Sequence, residues 1–330
     1  ETDAAVTLTA ADAGGTWSGP GVSGDQFDPA TAGPGDHTIT YNVGNGACSD
    51  SDDITIHVDP LPDPTIDPAG PYCVSDGEVT LSAAETGGTW SGTGITDATA
   101  GIFDPATAGA GDHVISYEVT NGACTDSDQI TIHVDDDVDA TIDPVADLCE
   151  TDAAVTLTAA DAGGTWSGTG ITDATAGSFD PATAGPGDHI ITYDIGNGAC
   201  SDSDQVTVHV DEMPDATIDA AGPYCISEGP VTLTSAEGGG LWSGPGIISA
   251  TSGAFDPGES GAGDHMISYT ITNGSCTASD AIIIHVDDAV DASIDPAGPY
   301  CITDAAEVMT ASTPGGTWSG PGITDAVSGI

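Results

Sequence analysis

Apolar residues along this chain recur at every second position, in short runs bounded by glycine, proline, asparagine and aspartate. In the stretch 112–120, His113, Ile115, Tyr117 and Val119 share one face; in 128–135, Ile130, Ile132 and Val134 share one face and leave Thr131 and His133 on the other. Asn121-Gly122 stands between the two runs as a hairpin signal. Residues 79–82 (VTLS) form a short β-branched run, and the TWSG around Trp90 follows a Gly-Gly turn. No window sustains the 3.6-residue period of a helix. The pattern predicts a small all-β sandwich of about six or seven strands.

The pattern also repeats. Cys48, Cys124, Cys200 and Cys276 follow one another at a constant step of 76, and Cys73, Cys149, Cys225 and Cys301 keep the same step. So do Trp90, Trp166, Trp242 and Trp318, each inside GGTWSG or GGLWSG. Trp17 to Trp90 falls three short of it, because three residues are missing between Trp17 and Phe27. A period this long is enough for an independent small domain. The expected division is a partial repeat at 1–59, full repeats at 60–135, 136–211 and 212–287, and a partial repeat at 288–330. Acidic, proline-bearing linkers lie at 58–68, 134–144, 210–220 and 286–296; they are short, so a semi-rigid, elongated rod is expected. The phase at Glu1, where the other copies have a cysteine immediately before, and at Ile330 predicts a longer array on both sides.

The segments DPAGPYCVSDGEVTLSA (67–83), GGTWSGTGI, FDPATAGAGDHVISYEVTNGAC and ITIHV resemble the tandem Ig-like or PKD-like repeats of very large secreted surface proteins of Bacteroidota, including gliding-motility adhesins. The resemblance spans the whole chain. It implies an all-β tandem array of small Ig-like/PKD-like β-sandwich domains, one per repeat, located outside the cell or on its surface.

Charge changes the picture most. The chain has 53 acidic residues and no lysine or arginine, a net charge of -53. A field of one sign repels nucleic acid and anionic lipid, and makes cations the natural partners. A trypsin-like protease finds nothing to cut after, which suits an extracellular protein. The 38% hydrophobic content and regular aromatic placement argue against disorder. No apolar stretch approaches the length of a membrane span, so direct membrane insertion is not expected of this segment.

The cysteines suit a disulfide framework. The favoured expectation is a bridge within each unit, Cys73–Cys124, Cys149–Cys200 and Cys225–Cys276, leaving Cys48 and Cys301 to partners beyond the ends. The alternatives are bridges across the linkers, Cys48–Cys73 and Cys124–Cys149 onwards, or interchain bridges and free thiols. No Cys-x-x-Cys spacing suggests a metal.

Trp17, Trp90, Trp166, Trp242 and Trp318 are expected to be one core tryptophan per unit, with a sugar-stacking platform as the alternative; Phe27, Phe103, Phe179 and Phe255, each followed by Asp-Pro, are expected core plugs at a turn. His37, His113, His189 and His265 follow Gly-Asp, and His57, His133, His209 and His285 close the last strand. Asp-His pairs invite a catalytic reading, but a hydrolase needs one unique constellation and these recur with every copy, so no enzyme is expected. His113 is expected in a hydrogen-bonded sheet-edge role.

Asp135, Asp137 and Asp139 have the spacing of the first ligands of a calcium loop, but Ala140 and Ala146 stand where that loop needs glycine and glutamate. A junction site is the expectation instead: Asp126 and Asp128 brought towards Asp59 and Asp63, and Asp202 and Asp204 towards Asp135, Asp137 and Asp139, with Ca²⁺ as the candidate ion. The rival is a solvated acidic surface without ordered ions. The leading functional expectation is a non-catalytic stalk or filament segment of a secreted adhesin, its partners being neighbouring repeats and like chains. The alternatives are an array that binds glycans or proteins through the variable loops at 94–101, 170–177 and 246–253, or the spacer of an exported enzyme.

Overall fold

The computed structural model describes residues 3–330. In the unit 60–135 the strands are β1 (Tyr72–Cys73), β2 (Val79–Thr80), β3 (Thr89–Ser91), β4 (Ile95–Asp97), β5 (Ile102–Phe103), β6 (Gly111–Asn121) and β7 (Cys124–Asp135). One sheet has the order β1-β7-β6-β3 and the facing one β4-β5-β2, so the unit is a seven-stranded β-sandwich. The long hairpin β6–β7 dominates. It is antiparallel from Gly111↔Val134 to Asn121↔Cys124, with Gly122 and Ala123 as a two-residue tip. β3 pairs antiparallel with β6, placing Trp90 opposite Tyr117, and β1 runs parallel to the end of β7, placing Cys73 beside Asp135. The units 136–211 and 212–287 repeat both sheets. In 1–59 the larger sheet keeps three strands, and among the residues of 288–330 the one ladder contact is the bridge Ile294↔Ala311.

The alternation read along the chain is the alternation that packs. Ile115, Tyr117 and Val119 of β6 and Ile132 and Val134 of β7 face Trp90, Phe103, Leu81 and Ile66 in a buried cluster confined to the unit. Separate clusters around Trp166 with Phe179, and around Trp242 with Phe255, fill the next two units. Trp90, Trp166 and Trp242 are each 5% exposed, so they are core residues. Trp17 is half-buried against the smaller cluster of Phe27, Ile39 and Val58, and Trp318 is half-buried as well.

The recurring frame around each tryptophan has a steric cause. Tyr193 stacks on Trp166 with ring centroids 4.4 Å apart, and its hydroxyl accepts from the Gly164 N–H at 2.8 Å while donating to the Asp161 carbonyl at 2.7 Å. A Cβ on Gly164 would collide with the Asp194 carbonyl and the Tyr193 ring, so the second glycine of the pair admits no side chain.

The Phe-Asp-Pro motif builds a turn that the periodicity did not reveal. Pro105–Ala108 is a single helical turn. Asp104 is its N-cap, accepting from Ala106 N–H at 3.1 Å and from the Thr107 hydroxyl at 2.5 Å, and Pro105 fills the first position, where no N–H is needed. Phe103 is fully buried beneath it. The Nε2 of His113 lies 2.7 Å from the carbonyl of Gly109, the residue whose N–H closes this turn onto the Pro105 carbonyl, the hydrogen-bonded role expected of it. Four residues are too few to show a helical period. Among the described residues no helix is long and apolar enough to cross a membrane.

Replacing Tyr193 by Phe strands the Gly164 N–H against an apolar ring. The expected cost is about 1–3 kcal/mol, read as a lower denaturant midpoint together with faster hydrogen exchange at the Gly164 amide; retained protection there would contradict the assignment.

Candidate functional site at the junctions between units

Because β7 runs from tip to base of its unit, Cys124 and Cys73 sit at opposite ends of the sandwich. Eleven steps of extended strand separate those ends by about 36 Å, far beyond the roughly 4.4–6.8 Å Cα separation a disulfide tolerates. The within-unit pairing Cys73–Cys124, Cys149–Cys200 and Cys225–Cys276 is therefore corrected. The structure bridges Cys73 to Cys200 and Cys149 to Cys276, each across 127 residues and each with a Cα separation of 4.9 Å. Bridges across the linkers are excluded by the same geometry. Cys48, Cys225 and Cys301 carry free thiols, Cys225 with its Sγ 3.1 Å from the Ser227 hydroxyl.

Each bridge marks a docking contact in which the hairpin tip of one unit seats on the base of the unit before it. At the Cys73–Cys200 junction the Asp135 carboxylate, 10% exposed, accepts from the Ala199 N–H at 2.7 Å. Gly198, at φ +58°, has no room for a Cβ, which would run into that carboxylate. At the next junction Asp211 accepts from Ser275 N–H at 2.6 Å and from the Ser275 hydroxyl at 2.9 Å, while the Asn273 amide donates to the Glu212 carbonyl at 3.0 Å. At the first, Asp59 accepts from Ala123 N–H at 2.8 Å. At Asp287 no tip is docked among the described residues, and that carboxylate is 64% exposed.

Behind each acceptor stands a histidine. His133 places Nδ1 2.6 Å from Asp112 and Nε2 3.3 Å from Asp135, bridging two carboxylates; His209 does the same between Asp188 and Asp211 at 2.5 and 3.4 Å, and His57 between Asp36 and Asp59 at 2.5 and 3.3 Å. Asp112 faces His133 across the hairpin, so the relevant Asp-His pair is a cross-strand one. Sequence reasoning noticed the adjacent pair Asp112-His113 and missed this one; the matched strand register was the signal that could have found it. The hydrogen bond that protonated His133 donates to Asp112 raises its pKa above the ordinary 6.5, with the nearby charges of Asp112 and Asp135 assisting against desolvation. His57, His209 and His285 are raised in the same way, by Asp36, Asp188 and Asp264.

The other carboxylates singled out as metal ligands are also engaged with backbone. Asp202 accepts from Ala140 N–H and Asp204 from Ile142 N–H, both at 2.9 Å; Asp128 accepts from Ile66 N–H at 3.0 Å. Asp139 caps Thr141 and Asp63 caps Thr65, each on its own turn. The Ile142 hydrogen bond holds the Asp204 carboxyl below its usual range, opposed by the charge of Asp139. Asp126 accepts from Ser127 N–H, and Asp137 from the Ser75 hydroxyl at 3.1 Å. The hairpin faces the linker, where Asp128, Asp202 and Asp204 meet N–H groups. Among the described residues, Cys73, Asp137 and Cys200 are the one trio whose ligand atoms lie within 4.8 Å, and two of those sulfurs are spent in a disulfide. Calcium takes about six to eight oxygens, more than this trio offers.

No protein-family model matches the chain, and no curated protein matches it. Solved structures similar to it include Drosophila N-cadherin EC1-4, at 12% identity over 86% of this chain and 94% of that one with a TM-score of 0.25. Sidekick-1 immunoglobulin domains 1–5 match at 12% identity over 87% and 77%, TM-score 0.31. The N-terminal eight Ig domains of Down Syndrome Cell Adhesion Molecule match at 10% identity over 78% and 40%, TM-score 0.39. Likenesses this loose carry no further weight.

Two outcomes follow from the junction geometry. Non-reducing peptide mapping after cleavage at acidic or aromatic residues should recover Cys73 with Cys200 and Cys149 with Cys276; a peptide joining Cys73 to Cys124 would refute the docking described. Since the junction histidines titrate above their unfolded value of 6.5, their stabilisation is complete below that pH and is lost as pH rises through the folded value. The melting temperature should therefore fall on going from pH 6 to 8, and replacing His57, His133, His209 and His285 by Gln should flatten the slope.

Proposed function

We propose that this chain is a segment of the structural stalk or filament of a secreted cell-surface adhesin, a non-catalytic array whose purpose is reach. The observation that carries the reading is the junction repeated at Asp59, Asp135 and Asp211: a hairpin tip is seated on a carboxylate each time, and at the last two a disulfide joins neighbouring units. A chain of domains meant to move independently has no use for such joints; a spacer gains length by repeating them.

Three further features support it. Structural disulfides persist in oxidising, extracytoplasmic surroundings. Every Asp-His set recurs with the fold and lacks a nucleophile of its own, so none is a unique catalytic centre. The absence of lysine and arginine denies trypsin-like proteases a cleavage point. The natural partners are the neighbouring repeats.

The test is imaging by electron microscopy of chains with two, three, four and five units. Length should grow linearly by about 36–40 Å per unit, the span of an 11- to 12-residue strand. Growth as the square root of unit number would remove the stalk reading. Selective glycan binding that disappears on altering the loop at 94–101 would favour a receptor array instead.

A further inference from the structure

The two bridges are offset so that their loops interlock: 73–200 and 149–276 overlap across 149–200. This gives the chain a covalent shortcut. A force arriving at Cys48 passes along the short segment 48–73, crosses the bridge from Cys73 to Cys200, and passes along the equally short segment 200–225. Both stretches are already extended. The latter consists of the last strand of its unit, Cys200–Asp211, followed by the linker that runs beside the next unit to reach Tyr224–Cys225 at that unit's base.

From the tip of the unit 1–59 to the base of the unit 212–287 the folded chain spans four unit lengths, at most about 15 nm at ~3.3 Å per strand residue. Fully stretched, the covalent path of about 50 residues spans about 18 nm. The two lengths nearly coincide. The residues between Cys73 and Cys200, with Trp90, Phe103, Trp166 and Phe179, lie on a branch that this path bypasses. The second bridge repeats the arrangement from Cys124 through Cys149 and Cys276 to Cys301, one unit out of step.

We propose that the array is a length-limited tether: under tension the load runs along alternating bridges and short, pre-extended backbone segments, so the molecule cannot lengthen appreciably by unfolding and the strands between Cys73 and Cys200 lie off the loaded path. This follows from connectivity and topology and stands apart from any adhesive role.

The experiment is single-molecule stretching of the whole chain, with thiol-reactive DNA handles on Cys48 and Cys225 and with Cys124 and Cys301 replaced by serine. Under oxidising conditions the extension between handles should stop at about 18 nm; after reduction it should reach about 62 nm, the full contour of the segment 48–225. The two bridges should differ sharply. Removing the first (Cys73→Ser with Cys200→Ser) opens a path of roughly 150 residues and raises the ceiling to about 53 nm. Removing the second (Cys149→Ser with Cys276→Ser) should leave it at about 18 nm.

The ceiling is a property of covalent connectivity, so a variant that folds poorly still reports it. Oxidised chains that extend past about 25 nm would overturn the proposal, as would equal lengthening by the two double variants. A failure of the imaging test above with the ceiling intact would reject the stalk and leave the tether.

Discussion

The seat of a hairpin tip on the base of the preceding sandwich is the contact on which the rest of this molecule depends. Its chemistry is small: one carboxylate accepts one backbone N–H of a two-residue turn, joined at Asp211 by the Ser275 hydroxyl, in a space closed to any side chain at Gly198. The seat sets what surrounds it. Cys200 follows the capped Ala199 directly, and Cys73 lies beside Asp135 in the parallel pairing of β1 with β7, so one alignment of turn and carboxylate brings two sulfurs into bonding reach. Backbone donors paired to an ionised acceptor make the stronger class of hydrogen bond, and the bridge then removes the undocked alternatives from the unfolded chain. For a closed loop of this length the chain-entropy contribution is about 5 kcal/mol. Capping fixes the geometry and the disulfide makes it permanent.

The same contact shows how a chain with 53 acids and no lysine or arginine folds at all. Carboxylates that cannot find basic side chains are satisfied by N–H groups instead. Asp104 caps a helical turn, Asp128 and Asp204 pair with the linker backbone at Ile66 and Ile142, and Asp135 and Asp211 hold the tips of neighbouring units. Where a positive charge is available it is a histidine, and four of the eight are placed so that two acids share it. The remaining charge faces outward, where it opposes the close approach of like-charged surfaces. Net repulsion between units is opposed by covalent bonds that salt and pH leave intact.

Much of the fold was legible because its cause is local. Alternation in 112–120 and 128–135 marked the long hairpin and its buried face, Asn121-Gly122 marked its tip, and the recurring Trp, Phe and glycine positions marked the core of each unit. The disulfide pairing was not legible from spacing, since the loop 73–124 is unremarkable and the longer loop 73–200 an improbable one until strand direction is known. Once β7 is seen to run the length of the unit, Cys73 and Cys124 are at opposite poles and only a neighbour can supply a partner. The partners of the acidic residues were hidden for a related reason. Clustered Asp at a junction reads as a cation site from sequence, and only the folded backbone shows that Asp128, Asp202 and Asp204 accept from the N–H groups of Ile66, Ala140 and Ile142.

The repeat also shows where length is allowed to vary. Three residues are missing between Trp17 and Phe27 relative to the other units, and the structure absorbs the loss by replacing Ile95–Asp97 and its following turn with the tighter pair Val22–Ser23 and Gln26–Phe27. That loop belongs to the smaller sheet. The segments 48–73, 124–149, 200–225 and 276–301 are identical in length, as are 73–124, 149–200 and 225–276, and each of the first set reaches from the tip of one unit to the base of the next with little slack. An insertion there would leave the sandwich intact yet slacken the path that joins the bridges.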